Sequence, residues 1–422
     1  MLYRQHLLTE LTARREEFVR FEREWAQESR ALARRLGALG NRRSGEVKQA
    51  AQAVVAAGAA RAEGALPSVE LDHAGAVVVP FNQTWRSHEA ARGWAIEALR
   101  GRATFAADGS QILPGRETSL PIAGVQVAWF ENPHTADGRG YRKEWGFSVV
   151  TPQELLATGG GKLTAADIVG FRRFELEAKA LCEFLERRRG WRGRGERVPV
   201  AFFDGTLLLS SAQIRTESNF PREYIKATLA AVRLSRETEV PIVGFIDHSY
   251  ARDLIHFLSV LAGGSGANVP ATVYDAQLFH APTPDDGEDE DARPPLFGAW
   301  GDRTIFFHCL REGLTADFRD ERGEPLVGFL YLQTTGDSAP PARLDVPAWV
   351  LEAGLLEEVV DAVRAECVVG NGYPYALETA DAAAVITTRD REQFLRAIQE
   401  FAEAEDFAFR VSRKAASKQR RR

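Results

Sequence analysis

Two Asp-Gly pairs stand inside apolar runs, Asp108-Gly109-Ser110 in TFAADGSQIL and Asp204-Gly205-Thr206 in VAFFDGTLLL. Taken singly, each reads as a hairpin turn, because glycine accepts the positive φ that a tight turn between strands demands. The other reading is a carboxylate raised on a strand, with glycine permitting close approach of backbone or ligand. Between the pairs, RRFELEAKAL carries Glu175 and Glu177 on a helical pattern. Carboxylates gathered at one point repel each other and resist ionisation, and oxygen-loving divalent cations offset that cost. Two such ions about 4 Å apart clamp the attacking and the leaving oxygen of a phosphodiester. Oxygen-only ligation favours Mg²⁺ or Mn²⁺ over zinc.

To bring these acids together the chain needs a sheet and a helix across it. Ala103–Ala107, Ile122–Phe130 and Lys143–Val150 read as three strands in series, an antiparallel meander with turn-rich links. A long helix is expected from Ala165 to Arg189, with Phe171, Phe174, Ala178, Leu181 and Leu185 on one face. Val198–Ser210 follows as a strongly apolar strand, then a helix near 221–236, a strand at 240–246 and a helix at 250–262. Thr304–Leu310 and Val327–Thr334 read as strands, and helices near 346–365 and 390–405 close the chain, with Val385-Ile386-Thr387 between them. Upstream, residues 1–65 place Leu7, Leu8, Leu11, Phe18 and Phe21 at three- and four-residue spacing, a pair of amphipathic helices. Such an arm packs on its own domain or on a second copy, and a further helical stretch at 84–100 connects it to the sheet. The expected class is α/β, a mixed sheet flanked by helices with an N-terminal helical arm.

The order of these features is similar to the ribonuclease H-like layout, in which the first and fourth strands lie side by side. On that layout Asp108 and Asp204 project from one place, and the helix aims Glu177 or Glu175 at it. The chain also resembles the NurA family of DNA-end-processing nucleases over about residues 100–390. The matching stretches are Asp108-Gly109-Ser110, RRFELEAKAL, Phe203-Asp204-Gly205-Thr206-Leu207 and Gly372-Tyr373-Pro374-Tyr375-Ala376-Leu377, in that order. The resemblance implies a Mn²⁺-dependent deoxyribonuclease, with Mg²⁺ as the alternative metal and two ions at the site. It implies 5′-to-3′ exonuclease and single-strand endonuclease activity in the resection of DNA double-strand breaks. It also implies a homodimer that works with a HerA-type hexameric ATPase.

Carried onto this chain, the resemblance makes Asp108 and Asp204 ligands shared by the ions. Glu177, in the spacing Arg173-x-x-x-Glu177, is the matching helix ligand, with Glu175 the alternative. Family members place a histidine after the Tyr-Pro segment, in an Ala-His pair. Here Ala380 is followed by Asp381, which can ligate the same ion and completes a catalytic and metal-binding set of Asp108, Glu177, Asp204 and Asp381. Arg192, Arg194, Arg197 and Tyr373 are the expected DNA contacts; a tyrosine such as Tyr373 also serves commonly as half-buried packing. If Asp381 has displaced an essential group, the protein is a DNA-end-binding scaffold for its motor. An actin-like phosphotransferase is the third reading, opposed by glycine following aspartate directly in both pairs.

Composition sets the outer bounds. Apolar residues at 45% and charged residues at 27% of 422 describe a globular chain large enough for an extensive core, and the serial division expected is an arm and connector at 1–100, the nuclease domain at 101–410 and a disordered basic tail at 411–422. Cys182, Cys309 and Cys367 are far apart and form no CxxC pair, so each reads as a small core hydrophobe in a reducing cytoplasm. No apolar run is long enough to span a membrane. The net charge of −6 equals the six acids of Asp285-Asp286-Gly287-Glu288-Asp289-Glu290-Asp291, in an exposed insertion near 283–295; without those six acids the chain is neutral. Basic residues cluster elsewhere, from Arg187 to Arg197 and from Arg410 onward, so local field permits a polyanionic partner. Asp247-His248 with Asp253 and His256 lacks a third ligand set, and GxxxxGK[ST] and GxSxG are both absent. Gly159–Gly161 in ATGGGKLT follows a helix and reads as a linking loop.

Overall fold

The computed structural model describes residues 3–116, 118–138, 140–157, 163–208, 220–264, 272–280, 295–311, 318–336 and 339–410. The acidic run 285–291, Gly159–Gly161 and the tail beyond 410 lie outside these. Two compact units are interleaved along the chain, one of residues 1–85, 246–312 and 323–348, the other of 86–245, 313–322 and 349–422, where composition suggests a serial division at residue 100. The first opens with α1 (Arg4–Ala13), α2 (Arg15–Gly37), α3 (Ser44–Ala56), β1 (Gly64–Pro67), α4 (Glu70–Ala74) and β2 (Val78–Val79). The second follows with α5 (His88–Leu99), β3 (Thr104–Ile112), β4 (Ala123–Asn132), β5 (Arg142–Val150), α6 (Pro152–Ala157), α7 (Ala165–Arg188), β6 (Val200–Asp204), α8 (Phe220–Thr238) and β7 (Ile242–Ile246). The chain returns to the first unit for α9 (Asp253–Leu261), β8 (Arg303–Thr304), β9 (Phe307–Leu310), β10 (Val327–Leu332) and β11 (Ala342–Pro347). It ends in the second with α10 (Ala348–Glu352), α11 (Leu356–Val369), α12 (Tyr375–Ala384) and α13 (Thr388–Ala404).

In the first unit β1, β9, β10 and β11 pair antiparallel in that order, and β8 joins β2 to β10. Its interior holds a charged network. Asp253, the first residue of α9, meets Arg311 at 2.7 Å and Arg343 at 2.6 Å, and Arg343 also meets Asp345 at 2.8 Å. Asp275 accepts from the N–H groups of Leu254 and Ile255, both at 3.0 Å, and so caps the start of α9. The arginines hold Asp253 below the usual carboxylate range, while burial and the neighbouring Asp253 push Asp275 up to about 7. Asp253 is therefore a structural ion pair, and His256 turns Nε2 toward the Ala62 carbonyl at 2.9 Å.

In the second unit the strands follow the order β5, β4, β3, β6, β7. The first three are the antiparallel meander anticipated from their serial order and turn-rich links, and β6 and β7 add in parallel to β3. Helix α7 begins at a capping box between Thr164 and Asp167 and presents Phe184 to Phe105 of β3, rings stacked 4.7 Å apart. The apolar stripe of α7 thus covers one side of the sheet, as its spacing predicts. Helix α12 packs against β3 and β4.

Several elements differ from expectation. Strand β3 runs straight through Asp108-Gly109, with Asp108 opposite Ala128 and Gly109 opposite Val127 on β4, so this pair is no hairpin turn. The helix expected at 346–365 is broken by Gly354, at φ 70°, into α10 and α11. Strands β1, β2 and β11 and helix α12 carry no clear pattern of their own in sequence; β1 and β11 are buried along their whole length, which erases the alternation that marks a strand. Cys309 and Cys367 are buried and Cys182 is half-buried, all as free thiols. Among the described residues no helix is long and apolar enough to cross a membrane.

Candidate functional site

The pairing of β3 with β6 matches Thr104 to Val200, Phe105 to Ala201 and Ala106 to Phe202. Extending that parallel register by two residues sets Asp108 beside Asp204, and residues matched across a parallel ladder share a face. Asp204 is the last residue of β6, and Gly205 turns the chain away at φ 117°, a conformation glycine adopts at no steric cost. The Gly205 N–H still donates to the Phe245 carbonyl of β7 at 3.0 Å, which fixes the strand end.

Gly109 serves the opposite need. A Cβ there would lie 2.6 Å from both Glu177 Oε1 and Arg173 Cγ, so only glycine lets α7 close on β3. That contact separates the two candidate helix acids. Glu175 is exposed and pairs with Arg172 at 2.9 Å. Glu177 turns inward, its side chain 14% exposed, and Arg173 Nε stands 3.4 Å from its Oε1. Arg173 also donates through Nη1 to the Gly109 carbonyl at 3.3 Å. Asp381, on α12, faces Asp108 side chain to side chain. Tyr373, half-buried before α12, donates its hydroxyl to Asp204 Oδ1 at 3.2 Å and sets its ring edge-on to Phe245.

The electrostatics follow from this crowding. Burial raises Asp108 to about 6, with the negative charges of Asp381 and Asp204 adding to it. Burial raises Glu177 further, to about 8, which the Arg173 guanidinium only partly offsets. Asp204 stands more open at its strand end, yet the packing around its carboxyl still raises its pKa, opposed by the Tyr373 hydroxyl. Three raised carboxyls around one point describe a place where negative charge is under-compensated. Glu177 Oε1 is buried without a hydrogen-bond partner, and Arg173 Nε likewise. A buried oxygen that makes an ion pair but no hydrogen bond, within an all-oxygen donor set, fits a hard divalent cation. Among the described residues no three acidic, histidine or cysteine side chains already stand as a closed coordination shell, so a cation would have to draw these groups together.

The structure thus brings Asp108, Glu177, Asp204, Asp381 and Tyr373 into one neighbourhood, and Arg173 joins them as a residue unassigned from sequence. It does not bring Arg192, Arg194 or Arg197 there. These precede β6, at the end of the strand opposite Asp204. Arg192 pairs with Glu239 at 3.1 Å and lies over the Trp191 ring, Arg194 pairs with Glu196 at 2.7 Å, and Arg197 donates to the Glu97 and Arg100 carbonyls at 3.0 and 3.4 Å. The signal for Arg173 was its position one helical turn before Glu177, where the two side chains must meet.

The NurA domain matches residues 102–386, from just before β3 to just after α12, and so includes every residue of the cluster. Among solved structures, the NurA nuclease from Sulfolobus solfataricus aligns over 72% of this chain and 85% of its own, at 12% identity and a TM-score of 0.42. No curated protein matches the chain. With that domain covering well over half of its 422 residues, the chain belongs to the NurA family.

Proposed function

We propose that this protein is a metal-dependent DNA nuclease of the ribonuclease H-like type that processes DNA ends. The observation that carries the reading is the convergence of Asp108 and Asp204 from adjacent parallel strands with Glu177 and Asp381 from two different helices, all within the NurA domain. The strand order β5, β4, β3, β6, β7 supports the ribonuclease H-like assignment, with the first strand of the domain central.

Asp108, Asp204, Asp381 and Glu177 would hold the cation, Mn²⁺ or Mg²⁺ and by the carboxylate count two ions. When bound, it supplies charge neutralisation at the phosphodiester and polarisation of its oxygens. The chain's own residues do the rest. Tyr373 orients Asp204 through its hydroxyl. Glu177, held off the sheet by nothing larger than Gly109, keeps an oxygen free to accept. Arg173 presents a guanidinium suited to a non-bridging phosphate oxygen. Arg192, Arg194 and Arg197 would meet only nucleic-acid backbone remote from the cut.

The homodimer and the HerA-type motor belong to the same proposal. Self-association is supported by the arm, where Leu7, Leu8, Leu11, Phe18 and Phe21 are all exposed on α1 and α2. The deciding experiment is cleavage of end-labelled single- and double-stranded DNA in Mn²⁺, Mg²⁺ or EDTA, by the wild type and Asp204→Ala. Metal-dependent cutting lost in the variant is expected. Equal inertness of both, with a HerA-type ATPase and ATP present, would leave an end-binding scaffold.

A further inference from the structure

A second concave site lies between the end of β4, α5, α11 and the start of α12, in the same unit as the carboxylate cluster. It is a cavity of about 240 Å³ whose polar floor is Asn132, His134 and Glu366. Glu366 is 1% exposed; the Ala376 N–H donates to its Oε2 at 2.9 Å, while its Oε1 has no hydrogen-bond partner. The Thr104 hydroxyl is close enough to favour the charged form without meeting hydrogen-bond geometry. His134 places Nε2 3.7 Å from that free Oε1.

The tautomer of His134 follows from its other contacts. Its Nδ1 lies 2.7 Å from the Arg102 carbonyl, an acceptor, so Nδ1 carries the proton and Nε2 offers a lone pair. Burial lowers the imidazole pKa and keeps the ring neutral. The residue sits at φ 46°, unusual away from glycine, and its N–H donates to Asn132 Oδ1 at 3.0 Å. Asn132 therefore has its amide NH₂ left to donate. With Glu366 ionised, above its raised pKa of about 7, the floor presents two acceptors side by side and one donor beside them.

The walls are apolar and aromatic. Tyr375 is 39% exposed and stands edge-on to Phe130, Tyr141 is open to solvent, and Leu99 and Val369 close the other side. A flat ring between such walls stacks without regard to its identity. A group with two N–H bonds spans two neighbouring acceptors, and a ring nitrogen next to it accepts from the amide. That is the edge of an amino-bearing nucleobase, present in adenine and cytosine and absent from thymine. Arg100, at the rim, is ion-paired with Glu97.

We propose that this cavity binds a nucleobase carrying an exocyclic amine, with the amine between Glu366 Oε1 and His134 Nε2. Thr104 and Asp108 occupy the same face of β3, about 13 Å apart at 3.3 Å per residue. Tyr373 and Tyr375 carry the two sites on one short segment, the first on Asp204 and the second in the cavity wall. The cavity therefore reads a base a few nucleotides from the cut, a role that rests on the nuclease reading, whereas base binding itself does not.

The test is calorimetric titration of the full chain with dAMP, dCMP and dTMP in EDTA, so that no cleavage enters. Saturable binding of dAMP and dCMP is expected, at least tenfold tighter than dTMP. Val369→Trp, at a position 41% exposed, fills the mouth without disturbing the fold and should abolish it. Glu366→Gln, which gives up one acceptor charge, should narrow the preference over dTMP. No binding by the wild type, equal binding of all three, or binding unchanged in Val369→Trp overturns the proposal. Base binding by a protein that never cuts DNA would retain the cavity and remove the nuclease; cutting without base binding would do the reverse.

Discussion

Tyr373 holds Asp204 across 169 residues of sequence, its hydroxyl donating to Oδ1 at 3.2 Å. The bond favours the charged carboxylate in a place where burial and Asp381 oppose it. Removing it with Tyr373→Phe should raise the Asp204 pKa. Because the ionised carboxylate is the form that accepts a cation, the acid limb of the pH–rate profile should move to higher pH. We expect a rate loss of about tenfold near pH 6, smaller near pH 8, on the scale of one charge-assisted hydrogen bond. An unshifted profile would reduce Tyr373 to packing on Phe245.

Asp108→Asn and Asp204→Asn should each lower metal-dependent cleavage by several orders of magnitude. The double variant should fall little further than either single one, since residues acting as one unit are not additive. Asp108 carries a raised pKa, so its neutral replacement relieves repulsion and should leave thermal stability at neutral pH unchanged or higher. Single-turnover rates and melting curves on the same samples check both.

Gly109→Ala tests the close approach of α7 independently of charge. The added Cβ would fall 2.6 Å from Glu177 Oε1 and Arg173 Cγ, so these side chains must move. The strand itself tolerates alanine, because Gly109 does not take positive φ. The expected result is a folded protein with impaired cleavage and weaker Mn²⁺ binding by titration. Full activity would place Glu177 outside the site.

Much of this neighbourhood was legible from order alone: strand, two strands, acid-bearing helix, strand. The meander and α7 carried it because three apolar strands follow one another through turn-rich links and an amphipathic helix keeps its period. Asp108-Gly109 looked like a turn, since the local signal for a hairpin is the same as that for a glycine pressed against a helix. Helix α12, which positions Asp381, was hidden by the small residues of ALETADAAA, whose weak periodicity follows from a run of alanines that fits a helix or a loop equally. The basic segment is a different case. Its arginines each have an acidic or carbonyl partner that is distant in sequence or masked by composition, as Arg187 and Arg188 have Glu131. Charge clustering reports composition, and pairing depends on tertiary structure.

Glu177 makes the apo protein sensitive to alkali. Its folded pKa of about 8 lies above the ordinary 4.5, so the native state binds a proton that the unfolded chain releases. Its contribution is therefore most favourable below about 4.5 and is lost as pH rises toward 8; Glu366, at about 7, acts in the same direction. Melting in EDTA should fall between pH 5 and 8. Glu177→Gln should flatten that slope and exceed the wild type at pH 8 by on the order of 2 kcal/mol. Mn²⁺ should restore the wild type at pH 8 and do little for the variant. A wild-type melting point that rises across this window would contradict the buried proton.

Stability in the other unit rests on a different arrangement. Arg343 is 2% exposed, bonds Asp253 and Asp345 at once, and lies 3.9 Å over the Phe329 ring. Arg311 meets Asp253 as well. Arg343→Met leaves Asp345 buried with its ion-pair partner removed, and breaking a buried pair from one side costs about 3–5 kcal/mol. Arg311→Met leaves Asp253 still paired with Arg343, so its cost should be smaller. The order of melting points should be wild type, Arg311→Met, Arg343→Met, with the last about 10 °C below the first. Combining Arg343→Met with Asp345→Leu should recover part of the loss, because the buried carboxylate that lost its guanidinium is then gone too. Recovery would show that the loss of the Arg343–Asp345 ion pair, rather than loss of packing around the guanidinium, makes the single substitution costly.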